Sequence, residues 1–123
     1  MRLTRVIRDW RKVEYSWANN CAIFAGDCVL AVTGVDPVAD LRGKITGVRD
    51  WAYWLRQEGG LEAAATRRLG DPIDPSQAIM GDILMCDGAL GVHIGQGGAF
   101  LRDVGLGLVP VSDCQRAWGV GRG

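Results

Sequence analysis

The stretch that most constrains this chain is Tyr15-Ser-Trp-Ala-Asn-Asn-Cys-Ala-Ile-Phe-Ala-Gly-Asp-Cys-Val-Leu-Ala-Val-Thr-Gly34. Asn19 and Asn20 are good N-cap residues, because a short amide oxygen accepts the first free backbone N–H groups of a helix. Gly34 suits the left-handed position just past a helix end. Between them the run is apolar on nearly every side, with Asp27 the only charge. That pattern predicts a helix buried on most of its surface. Cys21 falls at its first position, where the positive end of the helix dipole favours thiolate, so a lowered thiol pKa is expected there. Cys28 follows seven residues on, on the same face. A cysteine at the first turn of a central helix is one way to mount a nucleophile, and a buried apolar cysteine is the plainer alternative.

The rest of the chain is organised in two halves. Leu3, Val6, Ile7 and Trp10 recur at helical spacing and predict an amphipathic helix over 3–13, with arginines outside. Asp36-Pro37 to Gly43 is turn-rich. A helix is predicted over 46–58 with Val48, Trp51, Ala52 and Leu55 on one side, ended by Gly59-Gly60. A shorter one spans 61–69 with alanines inside and Gly70 as its stop. Asp71-Pro-Ile-Asp-Pro75 breaks the helical half. From Gly81 the period changes to 2: a strand over 82–86, a hairpin turn at Asp87-Gly88, and its partner over 90–94. Further strands are predicted over 99–102 and 108–111, with 114–120 a last edge strand. Pro110 argues that its own strand is at an edge or bulged. The expected class is α+β, in one domain over 1–123, with the Cys21 helix packed on a C-terminal antiparallel sheet.

Charge and cysteine usage exclude several functions. With 14 basic and 14 acidic residues the net charge is zero, and only Arg2, Arg5, Arg8, Arg11 and Lys12 cluster. That is no nucleic-acid footprint; it reads as a solvated helix face or a docking patch. No apolar run is long enough for a membrane span or the core of a signal peptide, so residence in a reducing cytoplasm is expected unless a particle carries the chain out. Cys21, Cys28, Cys86 and Cys114 form no C-x-x-C pair, so no zinc site, metal or other cofactor is expected. An iron–sulfur site from those four has the right ligand number but no supporting spacing.

On these residues the chain resembles the NlpC-like family of papain-fold cysteine peptidases, which cut peptidoglycan stem peptides. Trp17-Ala-Asn-Asn-Cys21 stands where that family has an aromatic residue and Asp-Cys before its buried helix, with Asn20 in the aspartate's place. Gly81-Asp-Ile-Leu-Met85 matches the Gly-Asp-hydrophobic strand. Ala89 to Gly95, Gln96-Gly-Gly98 and Ala99-Phe-Leu101 follow the family's His-Val-Gly-Ile strand, Gly-rich turn and next strand without a gap. The likeness covers roughly 15–34 and 80–111. It is similar in particular to short phage and prophage tail-region proteins, through Asp36-Pro37, Asp40-Leu-Arg-Gly43 and Ala117-Trp118.

The resemblance implies Cys21 as nucleophile and leaves two positions open for its base. The gapless frame puts Ala89 at the catalytic histidine and Leu101 or Arg102 at the third polar residue. His93, the only histidine, then lies about 13 Å further along the strand. A shifted frame sets His93 in the base position but spoils the glycine turn at 95–98. Asp103 and Gln96 are the polar candidates to orient the base. A histidine beside a turn holding a backbone carbonyl is the structural alternative. Two functions follow as expectations: a structural tail-tip or baseplate component of a phage virion with a degenerate site, or an active endopeptidase or amidase that cleaves peptidoglycan during entry. In the first, other tail proteins are the partners, and Arg5, Trp10 or Trp118 are expected at the contacts.

Overall fold

A computed structural model describes residues 2–121. Four α-helices come first: α1 (Arg2–Trp10), α2 (Cys21–Thr33), α3 (Val48–Glu58) and α4 (Leu61–Leu69). Five strands follow: β1 (Ile83–Cys86), β2 (Ala89–His93), β3 (Gly98–Leu101), β4 (Leu106–Val109) and β5 (Arg116–Trp118). Short 3₁₀ turns occupy Pro75–Gln77 and Val111–Asp113. The strands form one antiparallel sheet in the order β4-β3-β2-β1-β5. The class is therefore α+β.

α2 is fixed at both ends by the residues that the sequence marks. Asn20 is the N-cap, and its side-chain oxygen accepts from the N–H groups of Ala22 (2.9 Å) and Ile23 (3.1 Å). Gly34 takes φ 80° and donates its N–H to Leu30. Such a conformation costs glycine little and a residue with a Cβ more. Phe24 and Cys28 are wholly buried, and α2 packs against β2 and β3 on one side and α1 on the other.

The sheet separates two apolar clusters by strand alternation. Ile83, Met85, Leu90, Val92, Ala99 and Trp118 face α2 and make the main core. Leu84, Phe100 and Ala117 face the other way, with Cys86, Ala89, Val109 and Cys114 packed around them. Ile73, Ala78 and Val111, from irregular chain and the 3₁₀ turns, also pack on that second face, and the two turns touch each other. At the hairpin between β1 and β2, Asp87 (φ 51°) and Gly88 (φ 81°) both adopt the positive φ that a type I′ turn requires.

Several expectations need correction. α1 ends at Trp10 rather than Val13, because the chain turns to bond elsewhere: the carbonyl of Val13 accepts from Gly105 (3.0 Å), and Tyr15 donates to Asp103 (2.8 Å). On α3, Trp51 packs against the core as expected, but Val48 and Ala52 are exposed and Trp54 joins the packed side, stacked on Trp51 with ring centroids 5.3 Å apart. Trp10 and Trp118 are not surface anchors. Trp10 is buried, sits edge-on to Phe24 and donates its indole N–H to Asp27 (2.8 Å). Trp118 is wholly buried in the main core and donates to Thr66 Oγ1 (3.1 Å). Both supply core volume, which a domain of this size needs from its largest side chains. Arg5 is exposed. β4 is an edge strand with Pro110 just past its end, as Pro110 suggests; β5 is the opposite edge and is shorter than expected, because Val111–Asp113 turns before it. No helix is long and apolar enough to cross a membrane, among the described residues.

Candidate functional site

Cys21 opens α2 as the sequence predicts, but its electrostatics reverse the expectation. Burial raises the thiol pKa above its ordinary value. Backbone hydrogen bonds involving Leu90, Cys21 itself and Ala22 act in the opposite direction and do not cancel it. The dipole and these amides favour thiolate, whereas desolvation penalises any charge, and here desolvation wins. Cys21 and Trp17 pack against the main core, and the Trp17 ring meets that of Tyr15 edge-on at 6.2 Å. Tyr15 is likewise held above the ordinary phenol value, first by burial and then by its proximity to Cys21.

His93 ends β2 on the opposite face of the sheet. Residues 90 and 92 point toward α2, so 89, 91 and 93 point away from it. His93 is 8% exposed, and its Nδ1 accepts the N–H of Gly95 at 3.0 Å. That leaves Nε2 to carry the ring proton. It is a turn-bracing contact, with the ring as acceptor rather than as donor to a carbonyl. Ala89, the other position for a base, packs with the second cluster on that same far face. The structure thus brings neither residue to the Cys21 sulfur as a base. The candidate orienters are also displaced. Asp103 is exposed and meets Tyr15 through its backbone carbonyl, and Gln96 lines a groove with Ile7 and Arg11 on the α1 side.

The Gly-Asp strand entry has a structural task. Asp82 is fully buried; its Oδ1 accepts from Val120 N–H (3.0 Å) and its Oδ2 from Ile79 N–H (2.9 Å). One carboxylate thereby secures the chain just before β1 and the segment just after β5. The Asp36-Pro37 to Gly43 segment is similarly built for docking against α2. Arg42 binds Asp27 (2.6 Å) and Asp36 (2.7 Å), joining α1, α2 and the following loop through Trp10. Hydrogen bonding to Arg42 holds the Asp36 carboxyl below the usual carboxylate range. Arg68 of α4 completes the arrangement, bound to Glu58, to Asp40 (3.3 Å) and to the Pro37 carbonyl (3.1 Å), with its guanidinium 5.3 Å from the Trp54 ring centroid.

The four cysteines divide by face. Cys21 and Cys28 belong with the main core, Cys86 and Cys114 with the second cluster, and none is in a disulfide. Burial, aided by Asp27, holds the Cys28 thiol far above its ordinary value. A four-cysteine cluster is incompatible with this separation. Among the described residues no three His, Cys, Asp or Glu side chains converge as metal ligands. Sequence reasoning missed a second concavity: an open cleft beside His93 bordered by Asp74, Ser76, Ser112, Cys114 and Gln115. The residues come from three separate segments with no shared motif; the only available signal was the strand alternation that sends His93 to that side.

No curated protein and no solved structure matches the chain. A family described as "Domain of unknown function (DUF6950)" matches residues 1–120. With the match spanning nearly all of its residues, the chain belongs to the DUF6950 family.

Proposed function

We propose that the chain is a structural component of a phage or prophage tail tip, built on an NlpC-like, papain-type fold whose hydrolytic site is degenerate. The observation that carries the second half of this reading is the separation of Cys21 and His93 by the sheet. A cysteine peptidase needs a base within about 3 Å of the sulfur, and a further group behind that base. Here burial holds the thiol above its ordinary value, and strand alternation turns the His93 ring to the other face of the sheet. The tail assignment rests on the sequence resemblance at Asp36-Pro37, Asp40 to Gly43 and Ala117-Trp118. An assembly role is further supported by exposed apolar side chains along one rim. Tyr15, Val104 and Leu108 are 46%, 62% and 54% exposed, and the 13–15 and 103–105 segments are bonded together.

The test has two arms. Purified protein and its Cys21→Ala variant are incubated with peptidoglycan sacculi, and released stem peptides are measured by mass spectrometry. Equal, background release from both is expected; release that depends on Cys21 would restore the endopeptidase or amidase. Particles purified from a phage or lysogen encoding the chain are then searched for it by mass spectrometry. Its presence supports the tail assignment, and its absence from intact particles overturns that assignment.

A further inference from the structure

We propose that Cys86 and Cys114 are a reversible dithiol–disulfide pair, a modification site on the face of the sheet away from α2. Three backbone-anchored contacts lay the segment 113–115 along the end of β1. Gln115 donates its N–H to Met85 (2.9 Å), Asp87 donates its N–H to Gln115 Oε1 (2.8 Å), and the Cys86 thiol donates to the Asp113 carbonyl (3.2 Å). Cys114 Sγ lies 3.8 Å from the Pro110 carbonyl, and the carbonyl that the Cys86 thiol reaches belongs to Asp113, the residue next to Cys114. Both residues are partly exposed and pack with the same small cluster. The other two thiols, Cys21 and Cys28, are on the far side of the sheet and cannot compete as partners.

The oxidant is a low-molecular-weight disulfide such as oxidised glutathione. One protein thiol loses its proton, and the thiolate attacks a glutathione sulfur. A mixed disulfide forms and one glutathione leaves as thiolate. The second protein thiolate then attacks the protein-side sulfur of that mixed disulfide and expels the second glutathione. Two protein S–H bonds are exchanged for one S–S bond, while the glutathione disulfide is reduced to two thiols. Burial and the neighbouring Cys86 push the Cys114 thiol up to about 11, and burial and Asp87 also raise Cys86. Exchange is therefore slow near neutrality and accelerates by about tenfold per pH unit while the attacking thiol stays mostly protonated. The product bond would anchor the Val111–Asp113 turn to the end of β1. Cys114 also borders the His93 cleft, so oxidation would stiffen one wall of that concavity.

The full-length protein is treated with oxidised glutathione at mildly alkaline pH, quenched with an alkylating agent and mapped by proteolysis and mass spectrometry without reduction. One intramolecular link joining the Cys86 and Cys114 peptides is expected, removable by a dithiol reductant. Cys86→Ser and Cys114→Ser should each stop at a glutathione adduct on the remaining thiol. Separate glutathione adducts on both cysteines of the parent, a link to Cys21 or Cys28, a link between molecules, or no oxidation would each overturn the proposal. The parent alone decides it, so it does not depend on the variants' folding.

Discussion

Gly26→Ala should destabilise the protein, although alanine outranks glycine in a helix interior by about 1 kcal/mol. Gly26 lies within α2 with the Asp36–Gly43 segment packed across it. A Cβ there would stand 2.2 Å from Val38 Cγ2 and 3.4 Å from Val38 Cβ. Val38 has little room to retreat. It is β-branched and buried, its N–H is bonded to Asp36 Oδ1 (3.1 Å), and its carbonyl accepts from Leu41 (2.9 Å) and Arg42 (3.2 Å). Overpacking of this kind costs about 1–3 kcal/mol, and the severity of the overlap points to the upper half of that range. Subtracting the propensity gain leaves a net loss of about 1–2 kcal/mol. Urea unfolding of the parent, Gly26→Ala, Val38→Ala and the double variant measures it. In the Val38→Ala background the clashing methyl is gone, so Gly26→Ala should turn neutral or stabilising, a coupling of about 1–3 kcal/mol. A Gly26→Ala protein more stable than its parent with an unchanged m-value, or strict additivity in the cycle, would refute the reasoning.

Three further outcomes follow from the same geometry. Asn20→Ala should cost about 1 kcal/mol in urea unfolding, because the Ala22 and Ile23 amides lose their acceptor in a buried site, while Asn20→Asp keeps the cap and loses less. Asp36→Asn should cost about 1 kcal/mol at neutral pH. The folded carboxyl of Asp36 is depressed, so its contribution is complete above the unfolded value near 3.9 and is lost as pH falls through the lower folded value. The stability gap between parent and Asp36→Asn should therefore close on acidification below about pH 4, as read from urea midpoints. Finally, Cys21 should react with iodoacetamide near neutral pH more slowly in the native protein than in urea, measured by peptide mass spectrometry; faster native alkylation would show an activated thiol.

What was legible in the sequence is what local chemistry determines. Asn20 and Gly34 delimit α2 because each supplies something that only a helix end requires: a side-chain acceptor and a left-handed backbone. Asp87-Gly88 marks the hairpin because few other pairs tolerate two positive φ values. The long-range choices were less accessible. The spacing around Trp10 and Trp118 does not say that indole N–H groups will find Asp27 and Thr66 inside the fold, so these residues read equally well as interface anchors. The helix-dipole argument for Cys21 was sound but incomplete, because the desolvation that overrides it comes from the fold packed around the sulfur. His93 offers the clearest lesson. Strand parity decides its place more firmly than distance along the strand does: Leu90 and Val92 are core residues, so His93 faces away from the helix. The closeness of Cys86 and Cys114 depends on β5 returning beside β1, a pairing across nearly thirty intervening residues.

The Asp82 clasp imposes an order on biosynthesis. Its carboxylate holds the Val120 amide, and the wholly buried Trp118 joins a core whose other members, Val120 apart, come earlier in the chain. β1 likewise receives its β5 neighbour only from 116–118. On the ribosome, the helical half and the first four strands can gather, but they do so around a space left for an indole and beside a carboxylate still short of one donor. Closure must wait until residue 120 has cleared the exit tunnel. Until then the core stays open, and a chaperone or a neighbouring polypeptide has its best access to it.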